Sequence, residues 1–442
     1  LLKLNNLIEI NFIFFYNFFV ITKIGGCMKK VLKLFSVLLL ILFLSSGLFS
    51  NGFNLNGSGS KAISMGGAFI GLADDYSAVF WNPAGLSQLK GSSFSVFGTL
   101  LMPTDTYKSN LYGIDATTES KLYPSGAMGY FKSISDKLTI GLAAYVPSGL
   151  GAKWNGDDLS ILTQGASLEW ESFLAVVSIS PAVSYKINDK FSIGATININ
   201  YAMLDVKNPG IGQYHEDLNG LCMGATIGAL FKPCDKFSIG LTLRTPSKIK
   251  LDGNVEMKAA EMYGVSGTTE GKRELTWPMW VGAGIAFKAT EKLTITADVQ
   301  YTDWKKVDVV EMNYTNAQWQ AMKAHPLLGA AFNRDFEFYW DSKVQLRFGA
   351  EYLVSDSLAI RAGYYNDPAP SPIEHINILM PSITYNVVTL GWAYKTDKIS
   401  LDFCLEYLMG SKREAAPGIE DVLPGIYDVD ILVPNFGFTY RF

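Results

Sequence analysis

The chain is poor in the residues that carry chemistry. Its 442 residues include only three histidines and four cysteines. His215, His325 and His375 lie far apart, in stretches that read as outer loops, and neither GxSxG nor HExxH occurs. A hydrolytic enzyme needs a nucleophile and a base within hydrogen-bond reach, and the sequence offers no such pair. The cysteines are spaced neither as a metal site nor as evident pairs. With Cys27 set aside near the N-terminus, Cys222, Cys234 and Cys404 read as packing residues. No cofactor and no metal is expected. Charge is scarce too: 18% of residues are charged and the formal balance is -4, which argues against a nucleic-acid partner. After residue 50 no apolar run approaches the ~18 residues of a spanning helix. Mean hydropathy is nevertheless positive, at +0.16, and 13% of residues are aromatic. A chain that is apolar on average without apolar runs must alternate, and alternation is how a transmembrane β-barrel is written.

The N-terminus divides in two. "MKKVLKLFSVLLLILFLSSGLFS" (28–50) has a basic start, an apolar stretch from Val37 to Leu44 and small residues near its end. It reads as a secretory signal, cleaved near Gly47 or Ser50. Residues 1–27 are then expected to be an upstream extension outside the mature protein. Because a complete signal follows it, "IGGC" (24–27) is not taken as a lipoprotein box.

What the chain has in abundance is one phrase. It appears as "FKSISDKLTIGL" (131–142), "YKINDKFSIGA" (185–195), "FKPCDKFSIGL" (231–241) and "FKATEKLTITA" (287–297), with looser copies at 352–362 and 394–403. Each has an aromatic, a short turn with an acidic residue that suits a tight reversal, then alternation. Leu138, Ile140 and Leu142 oppose Thr139 and Gly141; Leu293, Ile295, Ala297 and Val299 oppose Thr294, Thr296, Asp298 and Gln300. Arg244, Asp298, Arg361, Asp402 and Glu406 all fall on the second, inner parity. Facing lipid at mid-membrane, such a charge costs up to about 2–4 kcal/mol. The acidic residues of successive turns (136, 189, 235, 291, 356 and 397) lie 41 to 65 residues apart. A soluble sandwich turns every ~8–12 residues. Short turns on one side and long polar loops on the other are the asymmetry of outer-membrane barrels.

Six turns join twelve strands; one more precedes them (about 92–102) and one follows (431–442), so the expected fold is all-β, a fourteen-stranded antiparallel transmembrane barrel with both ends periplasmic. The last strand, "ILVPNFGFTYRF", puts Phe436, Phe438, Tyr440 and Phe442 on one face, for which lipid is the expected contact. Residues 51–91, rich in Gly, Ser and Ala, lack alternation and are too few to fold alone. They read as a hatch inside the lumen, with helical pieces near 62–72 and 75–81, the second ended by Pro83. The barrel itself occupies 92–442.

"GFNLNGSGSKAISMGGAFIGLADDYSAVFWNPAGLSQLKG" resembles the hatch of the FadL/TodX family of outer-membrane channels for long-chain fatty acids and aromatic hydrocarbons. Asn82, Pro83 and Ala84 stand at that family's NPA motif. "YVPSGLGAKWNGD" (145–157), "ELTWPMWVGAGIAF" (274–287), "VQYTDWKKVD" (299–308) and "YYNDPAPSP" (364–372) resemble further parts, so the likeness spans nearly all of 51–442. It implies a passive route across the bacterial outer membrane. A hydrophobic small molecule is caught by the outer loops, held in an apolar pocket and released when the hatch N-terminus moves. Exit is then sideways, through a gap made by a kink in the third strand (137–146). Gly141 is a candidate for that kink, or simply a small inner-face residue. Trp280, Leu353, Leu174 and Val176 on inner positions make a partly apolar lumen. Trp154, Trp304 and Trp319 form either a capture surface or loop packing. Tyr440 and Phe442 resemble the signal read by the barrel-assembly machinery. The other expected partners are outer-membrane lipid and lipopolysaccharide, and the protein is expected to be monomeric. A porin for polar solutes is the main alternative, followed by an outer-membrane enzyme or an adhesin.

Overall fold

In the computed structural model, which describes residues 52–55, 57–419 and 422–442, the alternating segments form one closed antiparallel sheet. The extension and signal expected over 1–50 lie outside the described residues. Fourteen strands make the wall. They are β1 (Ser92–Ser109), β2 (Tyr123–Ser133), β3 (Leu138–Trp154), β4 (Trp170–Asn188), β5 (Phe191–Pro209) and β6 (Gln213–Cys234). Next come β7 (Phe237–Arg244 with Ser247–Glu256) and β8 (Thr268–Trp277 with Trp280–Lys288). The wall continues with β9 (Leu293–Thr302), β10 (Lys343–Leu353), β11 (Leu358–Asp367), β12 (Thr384–Lys395), β13 (Ile399–Ser411) and β14 (Gly425–Arg441). β1 pairs with β14 from Ser93↔Arg441 to Lys108↔Ile426, which closes the barrel and removes its edges. β7 and β8 are each interrupted opposite one another, between the pairs Arg244↔Trp280 and Ser247↔Trp277. Pro246 and Pro278 sit in those interruptions, where a missing N–H donor cannot continue a ladder.

Alternation sorts the two faces as charge demands. Ile140, Leu142, Leu221, Met223, Leu241 and Leu390 are exposed on the outside. The five inner charges are each matched within. Arg361 binds Glu351 and Asp402 at 2.7 and 2.6 Å, and Glu406 accepts from the Tyr365 hydroxyl at 2.7 Å. Asp298 and Arg244 bond to the backbone of the hatch. Cys222, Cys234 and Cys404 are all free.

The outer end departs from the expectation of uniformly long loops. β5 and β6 run 19 and 22 residues and are joined only through 210–212, because Pro209 and two glycines supply a tight turn. His215 therefore lies on β6, 3.2 Å from Asp205, and not in a loop. The longer outer segments fold inward as a cap. Trp304 and Trp319 are fully buried there, and Trp319 packs on Tyr314 and Phe332.

Residues 52–55 and 57–91 occupy the lumen. Their helices are shorter than the sequence suggests: α1 is Ser60–Ser64 and α2 is Ala78–Trp81, followed by a 3-10 turn over Pro83–Gln88. Gly66 and Gly67, with φ of 64° and 66°, take the left-handed conformation just after α1 and end it.

Candidate functional site

The hatch rests on three seats, each a pair of glycines directly opposite across two strands. Gly194↔Gly228 joins β5 to β6, Gly240↔Gly284 joins β7 to β8, and Gly349↔Gly363 joins β10 to β11. A Cβ at Gly194 would lie 2.3 Å from the Pro83 carbonyl carbon, and one at Gly228 2.1 Å from Asn82 Oδ1. At Gly240 it would lie 1.9 Å from the Ile70 carbonyl oxygen, at Gly349 2.3 Å from that of Met65, and at Gly363 2.0 Å from Gly66 N. Only the absence of a side chain lets the hatch backbone come this close to the wall.

Polar groups fix each seat. Asn82, fully buried, donates from Nδ2 to the carbonyls of Ile70 (2.9 Å) and Ala229 (3.0 Å), and its Oδ1 accepts from Ala84 N (3.2 Å). Two donors and one acceptor are used at once, which a carboxylate at this position cannot supply. Pro83 opens the 3-10 turn, where its lack of an N–H costs nothing, and the carbonyl of Ala84 accepts from Ser184 at 2.9 Å. Asp298 accepts from the N–H groups of Phe69 and Ile70 at 2.8 and 2.9 Å. Arg347 donates to the carbonyl of Gly66 at 3.1 Å and Arg244 to that of Phe80 at 3.0 Å.

Toward the turns, Lys61 pairs with Asp74 at 2.8 Å and Glu351 at 3.6 Å. Burial works against its charge, but these two carboxylates more than offset that and hold Lys61 above the usual lysine range. Burial pushes the neighbouring Asp75 carboxyl up to about 6, against the pull of the Ser77 hydroxyl. Lys61 and Asp75 line a polar cavity of about 280 Å³ with Lys395, Asp402 and Arg441, between the hatch and β13, β14 and β1. Its lining suits water and ions rather than an apolar molecule.

A second space of about 280 Å³ has the opposite character, and it lies at a break in the wall. β2 and β3 are paired from Ser133↔Thr139 only as far as Ala127↔Tyr145. Beyond that, Tyr123–Gly126 pair with β1 alone, while β3 carries a bulge between Tyr145 and Ser148. The Thr118↔Trp154 bridge and the Glu119–Lys153 ion pair (3.1 Å) close the opening above. On the inside, β3's free edge is taken by the start of the hatch: Leu55 N donates to the Pro147 carbonyl at 3.0 Å, and Gly149 N to that of Phe53 at 3.1 Å. The space is lined from both faces of the wall, by inward Leu101, Leu174 and Val429 and outward Phe173, Val177 and Met203, with Leu55 among them. Phe53 is held between Trp277, Trp304, Phe338 and Trp340, with ring centroids 4.4 to 6.1 Å away.

The residues singled out from sequence fall as follows. Leu174 and Val176 are buried in the outer half of the lumen, and Leu174 lines the opening. Trp280 is buried beneath them, against Arg244. Leu353 sits half-buried beside a turn. Trp154 is buried and donates to the Ile378 carbonyl at 3.0 Å, so it packs the cap rather than presenting a free capture surface; Trp304 is likewise buried, and Trp319 donates to the Ser266 carbonyl at 2.8 Å. Gly141 is not the kink: it stands in unbroken register opposite Phe131, whose ring fills the place of its Cβ, and the bulge lies further on at 146–147. Tyr440 and Phe442 meet edge to face with ring centroids 5.0 Å apart, and Phe442 is 71% exposed on the outside. Sequence reasoning missed the glycine seats, although Gly194 and Gly240 occupy the same place in the repeated phrase.

Known proteins resemble this chain in sequence and in fold. The chain is 22% identical over 406 residues to outer membrane protein P1 of Haemophilus influenzae, covering 79% of this chain and 84% of that protein. It is 23% identical to a 47 kDa outer membrane protein of Pasteurella multocida, over 86% and 91% of the two chains. Among solved structures, a FadL homologue of Pseudomonas aeruginosa superposes with a TM-score of 0.74 at 16% identity, over 89% of this chain and all (100%) of that one. The toluene transporter TodX of Pseudomonas putida gives 0.69 at 17% identity, over 89% and 100%. Residues 41–442 match the family model described as outer membrane protein transport protein (OMPP1/FadL/TodX), and the chain belongs to that family of outer-membrane β-barrels.

Proposed function

We propose that this protein is a passive channel, not an enzyme, that carries hydrophobic small molecules such as long-chain fatty acids or aromatic hydrocarbons across the outer membrane. The ligand enters through the outer cap, rests in the apolar space beside β3 and leaves sideways between β2 and β3. The first residues of the hatch act as the gate. One observation carries the reading: the unpaired stretch of wall opens onto an apolar space lined from inside and outside, and hatch residues 53–55 close it. Sideways exit delivers an apolar molecule into the membrane without passage through water, which would cost about 25 cal/mol per Å² of apolar surface. TodX of Pseudomonas putida is a toluene transporter, which agrees with this ligand class. The barrel acts as a monomer, inserted by the barrel-assembly machinery with Tyr440 and Phe442 in its recognition signal. It sits among lipopolysaccharide and lipid.

The bulge gives the test. Tyr145↔Ser178 and Ser148↔Val176 leave one extra residue on β3, so deleting Pro147 restores the register and lets β3 pair with Tyr123–Gly126. In a strain without its own channel, the wild-type protein should restore uptake of labelled oleate or toluene, and an uncoupler should not abolish passage across the outer membrane. The Pro147 deletion should fold, by heat-modifiable migration, and restore none. Uptake of small sugars without any hydrophobic uptake would replace the channel with a porin; undiminished uptake through the deletion variant would remove sideways exit.

A further inference from the structure

Among the described residues, one carboxyl group lines the apolar space at the wall opening. Asp105 lies on the inward face of β1, is only 4% exposed, and lines the space among Leu101, Leu174 and Val429. Its main chain is satisfied: the N–H donates to Thr118 Oγ1 at 3.0 Å and the carbonyl accepts from Thr118 N at 2.9 Å. Its side-chain Oδ1 is buried without a hydrogen-bond partner. Among the described residues no lysine or arginine lines the space, and the other ionisable lining groups are the phenols of Tyr123 and Tyr385. Lys121, 5.7 Å from the centre of the Tyr123 ring, is already paired with Glu171 at 2.5 Å.

A buried acceptor without a donor is expensive, and a ligand that brings the donor recovers that cost on binding. A ligand carrying a carboxylate does the reverse, since it brings no donor and buries its own charge in an apolar space with no cation to meet it. Size points the same way. About 280 Å³ lies just under the range of ordinary small-molecule sites, enough for a single ring or a short chain.

We infer that Asp105 selects the ligand: the passage favours compact, uncharged hydrophobic molecules that carry one hydrogen-bond donor, such as alkyl phenols and aryl alcohols, and rejects carboxylates of the same shape. The inference rests on the channel reading above and narrows its ligand class. It disfavours long-chain fatty acids as the preferred cargo.

Three ligands with the same ring and methyl group test it: 4-methylphenol, toluene and 4-methylbenzoate, titrated calorimetrically into the purified, detergent-solubilised full-length protein. Wild type should bind 4-methylphenol about tenfold more tightly than toluene, the worth of one buried hydrogen bond, and 4-methylbenzoate weakest. Asp105→Asn should improve 4-methylbenzoate about tenfold, and Asp105→Leu should bring 4-methylphenol to the level of toluene. Equal binding of the phenol and the benzoate by wild type overturns the inference without any variant. Unchanged ratios in both folded variants do so as well. If wild type binds none of the three and restores no uptake of toluene or oleate, the channel reading itself fails, and this inference with it.

Discussion

Adding one methyl group at Gly240 should loosen the hatch while sparing the barrel. An alanine Cβ there would lie 1.9 Å from the Ile70 carbonyl oxygen, 2.6 Å from its carbon and 2.8 Å from Asn82 Nδ2. Neither neighbour yields easily. Ile70 is held on one side by Asn82 at 2.9 Å and on the other by Asp298 at 2.9 Å. Overpacking of this kind costs about 1–3 kcal/mol. Displacing Asn82 also loses its two donated hydrogen bonds, at about 1 kcal/mol each. A total of roughly 3–5 kcal/mol lowers the hatch docking constant by about 10² to 10³ or more. The ladder from β7 to β6 and β8 uses the main chain and is untouched by a methyl group. In planar bilayers Gly240→Ala should therefore show frequent large conductance events, with heat-modifiable migration unchanged. Gly98→Ala is the control, because nothing lies within 4 Å of a Cβ built there. Wild-type conductance in Gly240→Ala, with the hatch as resistant to protease as in wild type, would refute the seating argument.

Asn82→Ala should raise conductance in the same assay, because the carbonyls of Ile70 and Ala229 lose their donor at about 1–3 kcal/mol for each group left unsatisfied. Acidification should tighten the hatch. Asp75 stands beside Asp74 and Lys61 with its carboxyl pushed up to about 6, mainly by burial, from an ordinary value of 3.8. The docked hatch then binds a proton more readily than the free one, so docking strengthens as pH falls through about 6 and gains no more below 3.8. Conductance should fall between about pH 7.5 and pH 5, and Asp75→Asn should abolish that step. Phe442→Asp should leave the protein unassembled on a heat-modifiability gel, since it puts a charge where an exposed ring meets Tyr130 and Tyr440.

Strand count, face assignment and hatch location were legible because each rests on a local rule. A turn with Asp or Glu marks each of the six short-side reversals, and a charge cannot face lipid, so Arg361 and Asp402 had to meet inside. The wall opening was not legible in that way. It arises from a single extra residue at 146–147, and a one-residue bulge leaves no mark in a pattern that Val146 and Pro147 satisfy either way. Gly141 drew attention because glycine often marks a bend, yet its smallness serves Phe131. The seats were hidden for a different reason. Inner-face glycines look like filler until the partner backbone is in place, and Gly349↔Gly363 comes from strands without the full phrase. Asp105 was invisible for lack of context: a single aspartate in "MPTDTYKS" reads as surface until the pocket around it is seen.

The distribution of contacts bears on which part of the hatch moves. To leave as a unit, the hatch would have to vacate three glycine seats and break its bonds to Asp298, Ser184, Ser238, Arg244, Arg347 and Thr389. At about 1 kcal/mol for each hydrogen bond, before any packing is counted, that approaches the whole stability of a small domain. The first residues are held differently. Phe53 to Leu55 use two backbone hydrogen bonds to β3, side-chain bonds from Ser148 and Trp277 to Asn54, and the ring contacts of Phe53. Replacing the Phe53 ring within its cage by a ligand ring exchanges like contacts, so the net cost of lifting this short piece stays within what a ligand can offset. For the channel proposed above, the economical cycle therefore keeps residues 60–88 seated and lifts only residues 53–55 from β3. In that proposed cycle the hatch stays shut to ions while residues 53–55 exchange with cargo.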